Sequence, residues 1–547
     1  MFRTALAVLS LFLLPQAYAA DVGIASAHPL ADEAGYEILA KGGNAFDAAI
    51  AVSAALSVTE PYSSGIGGGG FYLLHRARDG HEVMIDGRET APAAATPAMY
   101  LDADGNLVSG KSVEGVLAAA IPGTPAALAL MAEKYGELPL AVSLAPAIRL
   151  AREGFKVDER FAAMTEDYRD RLLRHCVPDC PFLVDDDDPL PAGEILRQPE
   201  LAAVLERLAA DKGESFYRGE DAEAMVAEIR ERGGIWTEDD LAAYEAKVRD
   251  VLKGDYRGHR ITTATLPSSG GITLLETLNI LEGFRLEKLS QADRMHVIAE
   301  AWRRAYRDRN EYLGDPDFET VPRERLLHPH YAAGLRASIR MDEATPSNIL
   351  PPVVPREESE HTTHFSIIDA EGNRVAATQT VNFRFGSGVV ANGITLNNEM
   401  NDFSVKPGAP NGFGLVQGWA NAVEGGKRPL SSMTPTFIES DRGVAVLGTP
   451  GGSRIISMVT LGVLDWVNGG DAKSMVSLPR FHHQYLPDYI DIEKDAFSEA
   501  LRAALRVKGH DVKEASRRWG NMNIVTRDRD GEVDVAHDPR NEARVAF

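Results

Sequence analysis

The chain has 547 residues with 57 basic and 80 acidic side chains, so its formal net charge is −23. Nucleic acids and anionic membranes bind proteins through basic surfaces, and this charge argues against both as partners. A hydrophobic content of 44% is sufficient for a large buried core, and the length lies within the range of single large α/β enzymes.

The first nineteen residues have the features of a signal peptide. Arg3 provides a positive charge, residues 5–14 are apolar, and residues 17–19 (AYA) form a cleavage motif. The apolar run is too short to span a bilayer, and no later segment resembles a transmembrane helix. We therefore expect a mature chain that begins at Ala20 and is periplasmic or secreted.

Helices and strands alternate in the first part of the mature chain. Residues 32–41 predict an amphipathic helix, and residues 47–58 predict a buried helix. Residues 71–75 and 82–85 predict a pair of strands, whereas residues 122–336 are mostly helical by periodicity. This alternation indicates an α/β fold.

Two glycine-rich segments match nucleotide-binding patterns but lack the structural context. Residues 105–112 (GNLVSGKS) follow a turn, whereas a phosphate-binding loop follows a strand. Residues 65–70 (GIGGGG) follow a predicted helix and precede a predicted strand, which reverses the dinucleotide-binding order. We expect no cofactor, and we expect the glycines at 65–70 to allow close backbone packing.

The two cysteines, Cys176 and Cys180, lie close together in the sequence. In an exported protein a local disulfide between them is the favoured prediction. A zinc site is the alternative, but tetrahedral zinc takes four ligands and His175 is the one additional ligand nearby. We expect no metal.

A threonine at the junction between a loop and a strand is a candidate nucleophile. Residues 351–361 are rich in proline and charge and form the main linker candidate, and a strand pattern begins just after Thr362. If the chain is cut before Thr362, its hydroxyl and its freed α-amine form a nucleophile with a built-in base. Taken alone, a Thr-Thr pair at the start of a strand is also ordinary strand composition.

Strands are the main elements predicted after this threonine. Residues 364–369 and 374–381 flank a turn and predict a hairpin. Further strands are predicted at 394–397, 436–439 and 444–447, and a helix packed on the sheet is predicted at 455–466.

Three polar clusters follow the hairpin. Glu399 and Asp402 offer carboxylates to a substrate ammonium group. Ser431 and Ser432 offer hydroxyl donors to a carboxylate. The glycines at 451–452 lie between a predicted strand and a predicted helix, where their amides can face a developing oxyanion. Each cluster alone also fits an ordinary polar turn, a serine-rich loop or a tight strand-to-helix turn.

Together and in this order, the motifs resemble those of the γ-glutamyltranspeptidase family. The resemblance covers essentially the whole mature chain and is weakest from about residue 164 to residue 340. The segments that carry it are GGNAFDAA at 42–49, GGGGF at 67–71, DGRE at 86–89, TTHFS at 362–366, LNNEMNDF at 396–403, KRPLSSM at 427–433, PGGSR at 450–454 and PRFHHQ at 479–484.

The resemblance implies a four-layer αββα N-terminal-nucleophile hydrolase fold built from both halves of a self-cleaved precursor. Cleavage between His361 and Thr362 would give a large subunit of residues 20–361 and a small subunit of residues 362–547, folded together as one heterodimer. Thr362 would first attack the carbonyl group of His361 and afterwards attack substrates.

Individual roles also follow from the resemblance. The catalytic residues would be Thr362 as nucleophile, Thr380 as the residue that orients it, and Gly451 and Gly452 as the oxyanion hole. The α-carboxylate of the γ-glutamyl group would bind Arg88, Ser431 and Ser432, and its α-amine would bind Asn382, Glu399 and Asp402.

The implied reaction is acyl transfer from glutathione and related γ-glutamyl compounds through an ester on Thr362. Water, an amino acid or a dipeptide would accept the group. A glutaryl or cephalosporin acylase of the same fold is the alternative, although it does not need a site for an α-amine. Residues 406–428 resemble a lid loop in which Phe413 replaces a gating tyrosine. Arg384 and Trp419 are two further departures that could reshape the acceptor side.

Overall fold

Two six-stranded antiparallel sheets lie at the centre of the computed structural model, which describes residues 21–185, 187–347 and 362–541. Their strands are β1 (Gly23–Ala25), β2 (Gly69–Arg76), β3 (His81–Gly87), β4 (Lys247–Asp250), β5 (Leu252–Tyr256), β6 (His259–Thr263), β7 (Thr362–Ile368), β8 (Arg374–Thr380), β9 (Thr436–Ser440), β10 (Gly443–Leu447), β11 (Asn523–Asp528) and β12 (Val533–His537). The first sheet has the order β1-β7-β8-β2-β3-β4 and the second has the order β12-β11-β10-β9-β6-β5. Both sheets combine strands from the two sides of residues 348–361.

The two sheets pack face to face through small and branched apolar side chains. Leu73 of β2 lies in this inner layer together with Phe437 of β9 and Val446 of β10. The neighbours of Leu73 on the strand, Tyr72 and Leu74, belong instead to the core on the outer face. This alternation follows from the twofold repeat of a strand, which directs successive side chains to opposite faces.

Helices cover the outer face of each sheet. Those that share a core with the first sheet are Pro29–Ala40, Ala45–Thr59, Thr124–Lys134, Leu140–Glu153, Glu159–Asp167, Arg169–His175, Pro199–Asp211, Glu214–Arg218, Glu220–Glu231 and Glu238–Ala242. Those that share a core with the second sheet are Gly270–Leu281, Gln291–Tyr312, Arg323–Leu326, Pro329–Ala337, Arg454–Val467, Ala472–Ser477 and Glu499–Val507. The predicted four-layer αββα fold is therefore confirmed.

Short strands outside the two sheets form small ladders near the surface and around the site. They are Phe155–Lys156, Leu183–Val184, Asp188–Pro189, Ile195–Leu196, Val390–Ala391, Ile394–Thr395, Phe481–His482, Ile490–Ile492 and Val512–Glu514.

The helix Ala45–Thr59 shows why the predicted elements form where they do. Asn44 accepts hydrogen bonds from the amides of Phe46 and Asp47, and the Asp47 carboxylate accepts one from the amide of Asn44, so a capping box begins the helix. Every residue from 45 to 59 is buried, which agrees with its small and apolar composition. This helix and the β7–β8 hairpin were both predicted from sequence.

Residues 122–336 are mostly helical, as predicted, but one stretch of this segment forms strands. Strands β4, β5 and β6 lie there and extend both sheets. In β4 the charged Lys247 and Arg249 are partly buried and Val248 is exposed, and β5 has two charged residues, so neither strand has the apolar pattern of a central strand. Their structure is set by pairing with β3 and β6, which local periodicity does not reveal.

The glycines at 65–70 allow the close packing that was expected of them. A Cβ atom on Gly68 would lie 2.0 Å from the carbonyl oxygen of Thr380, and one on Gly69 would lie 2.5 Å from Glu89 Oε2. These positions follow the helix and begin β2, as predicted. The absence of side chains here lets β2 lie directly beside the end of β8.

Other predictions concern the termini and the cysteines. Cys176 and Cys180 form a disulfide with a Cα–Cα distance of 5.2 Å, while His175 lies 3.6 Å from Glu114. Within the described ranges no helix is long and apolar enough to cross a membrane. The predicted signal peptide at 1–19 and His361 at the predicted cleavage site lie outside the described residues.

Candidate active site

Thr362 and Thr380 face each other at one end of the first sheet. They are paired in the β7–β8 ladder, and the Thr362 hydroxyl lies 3.3 Å from Thr380 Oγ1. Thr380 Oγ1 also accepts a hydrogen bond of 2.7 Å from the amide of Asn382. The fixed amide donor orients one side of the Thr380 hydroxyl, so the pair of threonines has a defined geometry.

The histidine next to these threonines cannot act as the base for Thr362. His364 lies two positions along β7, and its ring nitrogens contact the hydroxyls of Thr378 at 2.8 Å and Ser366 at 3.1 Å. Burial lowers the pKa of His364 to about 3, which makes the ring a weak base. A base for Thr362 must therefore come from another group.

Gly451 and Gly452 provide two backbone amides between β10 and the helix Arg454–Val467. Both have positive φ angles, 139° and 55°, which glycine adopts without strain. Among the described residues neither amide donates a hydrogen bond, whereas both carbonyl groups accept bonds from the first turn of the helix. Free amides at a helix N-terminus are suited to an anionic oxygen.

Arg88 lies at the centre of a buried cluster of carboxylates. Its side chain is 1% exposed and its guanidinium is 2.8 Å from Glu399 Oε1, 2.5 Å from Asp402 Oδ2 and 3.5 Å from Glu89 Oε2. Nε donates to the carbonyl oxygen of Pro429 at 3.1 Å. Arg88, which was predicted to bind the α-carboxylate of a substrate, thus directly contacts the two acids that were predicted to bind its α-amine.

Three carboxylates around one guanidinium leave this cluster with excess negative charge. Burial raises the pKa of Glu399 well above its ordinary value, and the neighbouring acids raise it further against the attraction of Arg88. Burial likewise raises the pKa of Asp402, and it raises the pKa of Glu89 to about 7. The cluster therefore favours an added positive charge, whether a proton or a ligand ammonium group.

The hydroxyls of Ser431 and Ser432 lie in the same cavity as Arg88. Ser431 Oγ accepts from the amide of Met433 at 3.1 Å, and Ser432 Oγ accepts from Arg309 Nη2 at 3.0 Å. Within the described part of the chain neither hydroxyl donates a hydrogen bond to another group. Both hydroxyl protons are therefore available to an acceptor such as a carboxylate.

Asn382 adds a polar group between the threonine pair and the acids. Its φ angle is 70°, a left-handed conformation that asparagine tolerates and that turns the chain after β8. Nδ2 donates to the carbonyl oxygen of Asn398 at 3.0 Å, which leaves Oδ1 as the acceptor on the side of the cavity.

A cavity of about 20 Å³ collects the predicted site residues. It is lined by Thr362, Thr380, Asn382, Arg88, Glu399, Asp402, Ser431, Ser432 and Gly452, and of the predicted residues that the structure describes Gly451 alone is not part of its wall. Arg309 also lines the cavity and was missed by the sequence analysis. It belongs to a helix with several other arginines, and no local pattern distinguishes it from a solvated helix face.

The predicted lid loop closes one side of this cavity. Phe413 and Leu415 line it, and the ring of Phe413 packs against Gly452 and, edge to face, against Phe383. Of the two other departures, Trp419 is 76% exposed and lines a separate cavity of about 510 Å³. Arg384 is buried against Tyr62 and does not line the site.

One cluster of possible metal ligands lies away from this site. His75, Glu82 and Glu439 approach one another on the sheets. Their charges are already compensated, because Glu82 pairs with Lys253 at 2.6 Å and Glu439 pairs with Arg374 at 2.6 Å. We interpret this cluster as an ion-pair network.

Known proteins resemble the chain over nearly its whole length. A family model described as Gamma-glutamyltranspeptidase matches residues 31–547. The glutathione hydrolase proenzyme of Escherichia coli (strain K12) is 44% identical over 527 residues, which cover 95% of this chain and 90% of that protein.

Solved structures support the fold, and one of them is a member of the same family. The Helicobacter pylori gamma-glutamyltranspeptidase is 40% identical with a TM-score of 0.57, over 59% of this chain and 93% of that one. A cephalosporin acylase from Bacillus halodurans is 29% identical with a TM-score of 0.82, over 96% of this chain and 95% of that one. The resemblance found in the sequence is confirmed, and the chain belongs to the γ-glutamyltranspeptidase family of enzymes.

Proposed function

We propose that this protein transfers γ-glutamyl groups from glutathione and related compounds to water or to the amine of an amino acid or dipeptide, with Thr362 as the nucleophile. The proposal rests on the lining of the cavity around Thr362. Groups suited to an ammonium ion and groups suited to a carboxylate line the same buried cavity as Thr362. The α-carbon of a γ-glutamyl group bears both charges. Membership in the family and the relative named glutathione hydrolase support this donor.

Maturation supplies the base that the site otherwise lacks. We infer cleavage between His361 and Thr362, giving chains 20–361 and 362–547 that remain one heterodimer. The name proenzyme in the Escherichia coli relative supports processing into subunits, and the strands of both sheets come from both chains. Cleavage would place a free α-amine on the residue that carries the nucleophilic hydroxyl.

The acylation step then follows from the positions of these groups. Thr362 Oγ1 attacks the γ-carbonyl carbon of the donor while its proton passes to the α-amine of Thr362. The carbonyl oxygen becomes an oxyanion that the amides of Gly451 and Gly452 stabilise. When this intermediate collapses, the amide C–N bond breaks and the leaving amine takes the proton from the α-ammonium group of Thr362. The γ-glutamyl group is left as an ester on Thr362.

Deacylation repeats these steps with a new nucleophile. Water or an acceptor amine gives a proton to the α-amine of Thr362 and attacks the ester carbon. The ester C–O bond breaks and Thr362 Oγ1 recovers a proton, which releases glutamate or a new γ-glutamyl amide. Thr380 orients Thr362 Oγ1 in both steps, because its own oxygen is fixed by the amide of Asn382.

Donor binding would exchange partners within the Arg88 cluster. The α-carboxylate would bind Arg88 and the free hydroxyl protons of Ser431 and Ser432. The α-ammonium group would take the place of Arg88 beside Glu399 and Asp402 and would neutralise their excess charge. A glutaryl group has no α-amine and would leave these two acids facing a methylene group, so the acylase alternative is the less favoured one.

The nucleophile is tested by the mass of the purified protein. We expect Thr362→Ala to remain one chain of precursor length without activity, because both the hydroxyl and the cleavage depend on it. Thr362→Ser is the matched control, which keeps a hydroxyl and should still be cleaved. Normal cleavage in the alanine variant would contradict the assignment.

Donor specificity is tested with γ-glutamyl anilide and two analogues, each of which lacks one of its charged groups. γ-Glutamyl anilide carries both α-substituents, glutaryl anilide lacks the amine, and 4-aminobutyryl anilide lacks the carboxylate. We expect kcat/KM for γ-glutamyl anilide to exceed that of either analogue by ~10²-fold or more, which corresponds to one lost buried charge contact. Equal rates with glutaryl anilide would support the acylase alternative instead.

We also infer that the protein is exported to the periplasm or secreted. Residues 1–19 support this inference through their charge, apolar run and cleavage motif. Sequencing the N-terminus of the protein from a periplasmic extract should give Ala20, whereas an intact Met1 in the cytoplasmic fraction would contradict it.

A further inference from the structure

Arg309 is a buried cation in the wall of the site. It lies on the helix Gln291–Tyr312, and its side chain is 1% exposed. Nε donates to Ser269 Oγ at 2.9 Å, Nη1 to Asn310 Oδ1 at 2.9 Å and Nη2 to Ser432 Oγ at 3.0 Å. All three acceptors are neutral.

The other buried arginines of this helix have acidic partners. Arg303 and Arg304 both pair with Glu300, at 3.0 and 2.7 Å. Among the residues that the structure describes, no carboxylate lies within ion-pairing distance of the Arg309 guanidinium. Burial lowers the pKa of Arg309 to about 10, against a partial attraction from Asp402. A buried charge without a counterion is costly, which makes this position favourable for an anion.

The hydrogen bond from Arg309 also determines how Ser432 can act. Because Ser432 Oγ accepts a proton from a guanidinium group, its own hydroxyl proton must point elsewhere. A hydroxyl that accepts from a cation is also a stronger donor. Ser269, the second partner of Arg309, donates at 2.6 Å to the carbonyl oxygen of Ser431. Arg309 therefore connects its helix to both serines.

We propose that Arg309 is a positioning residue that makes the enzyme specific for donors with an α-carboxylate. It fixes the Ser432 hydroxyl as a donor to that carboxylate and adds a second positive charge to the cavity, besides that of Arg88. This inference rests on the proposed function, because it assigns the α-carboxylate of the donor to this side of the cavity. A structural role alone would affect all donors equally.

The test compares two donors on the same variants. Arg309→Met should raise KM for γ-glutamyl anilide by ~10- to 100-fold and change kcat by less than about threefold, because the reacting atoms are not contacted. The same variant should leave kcat/KM for 4-aminobutyryl anilide, which lacks the carboxylate, within about threefold of the unmodified enzyme. Arg309→Lys keeps the charge without the planar geometry and should recover part of the affinity.

Arg304→Met is the matched control. Arg304 is a buried arginine on the same helix, but it pairs with Glu300 and does not line the cavity. We expect this control to lower stability and to leave the ratio of the two donors unchanged. Intact masses of the two processed chains confirm for each variant that maturation has occurred.

A double-mutant cycle separates action through Ser432 from a general effect of charge. In a Ser432→Ala background, Arg309→Met should cost less affinity than it does in the unmodified enzyme. An equal loss on both donors, or full additivity with Ser432→Ala, would overturn the proposal. Failure of the proposed function would look different, because the unmodified enzyme would then show no preference for γ-glutamyl over 4-aminobutyryl anilide.

Discussion

Two buried clusters of this protein use the same side chains and differ in their charge balance. In the helical layer beside the second sheet, two guanidinium groups pair with two carboxylates, because Arg303 also contacts Asp488. Arg303 and Arg304 contact Glu300 at 3.0 and 2.7 Å, and the amide of Thr345 donates to it at 3.1 Å. Burial alone would raise the pKa of Glu300, but these partners outweigh burial and lower the pKa to about 2.

In the site the carboxylates outnumber the guanidinium groups that contact them. Arg88 alone contacts three carboxylates, those of Glu89, Glu399 and Asp402. Here burial outweighs the attraction of Arg88, so the pKa values of Glu399 and Asp402 are raised, and repulsion by the neighbouring acids adds to the effect on Glu399. The charges of one cluster are balanced within the protein, whereas in the other we propose that a substrate ammonium group offsets the excess of carboxylates.

The largest difference between the clusters should come from removing their arginines. Arg88→Met should lower kcat/KM for γ-glutamyl anilide by ~10²- to 10³-fold, about 3–4 kcal/mol, because a buried charge loses its partner. Arg303→Met should instead lower the free energy of unfolding by about 3 kcal/mol and change kcat/KM less than about threefold. Steady-state rates and urea unfolding of the processed proteins measure both effects. A variant of Arg88 that loses stability but keeps full activity would break the comparison.

Replacing one acid in each cluster should give effects of opposite sign on stability. The pKa of Glu300 is lowered, so its charge stabilises the folded state above the unfolded pKa near 4.5, and this contribution is lost as the pH falls towards 2. Glu300→Gln should therefore cost up to about 3 kcal/mol at pH 7, and the cost should shrink in acid.

Glu399 should behave in the opposite way, because its pKa is raised. Its ionisation opposes folding as the pH rises above the unfolded value, so Glu399→Gln should keep or increase the stability at pH 7. Loss of the Glu399 carboxylate should instead raise KM for γ-glutamyl anilide about tenfold. Urea midpoints at several pH values distinguish the two variants, and a destabilised Glu399→Gln protein would contradict this interpretation.

The sequence predicted the parts of this site that lie on continuous segments. The β7–β8 hairpin, the glycines at 451–452 and the serines at 431–432 each have a local pattern, and the family motifs assigned their roles. The sequence did not show that Arg88 contacts the acids directly, since residues 88 and 399 meet only through the packing of distant loops. Arg309 was missed for the same reason, because its importance depends on which helix face the chain buries against the site.

Strands β4 to β6 illustrate the same limit at the level of the fold. The charged residues of β4 and β5 break the apolar pattern that is typical of a central strand. The conformation of all three strands depends on pairing with their neighbours in the sheets. Local propensity predicts a helix or strand correctly where it agrees with the tertiary contacts of that segment. Where the two disagree, long-range strand pairing determines the structure.

The smallest predicted effect concerns the pH dependence of donor binding. Protonated Glu399 and Asp402 cannot bind an ammonium group well, so KM for γ-glutamyl anilide should fall as the pH rises through their raised pKa values. Glutaryl anilide has no ammonium group and should not show this dependence.

Glu89 is one of the charges that raise the pKa of Glu399. Glu89→Gln should therefore move the acidic limb of the profile to lower pH, with a change in KM below about tenfold, the effect of one pKa unit. An unchanged profile in this variant would mean that Arg88 already compensates the third carboxylate, and the site would then resemble the Glu300 cluster more closely than its geometry indicates.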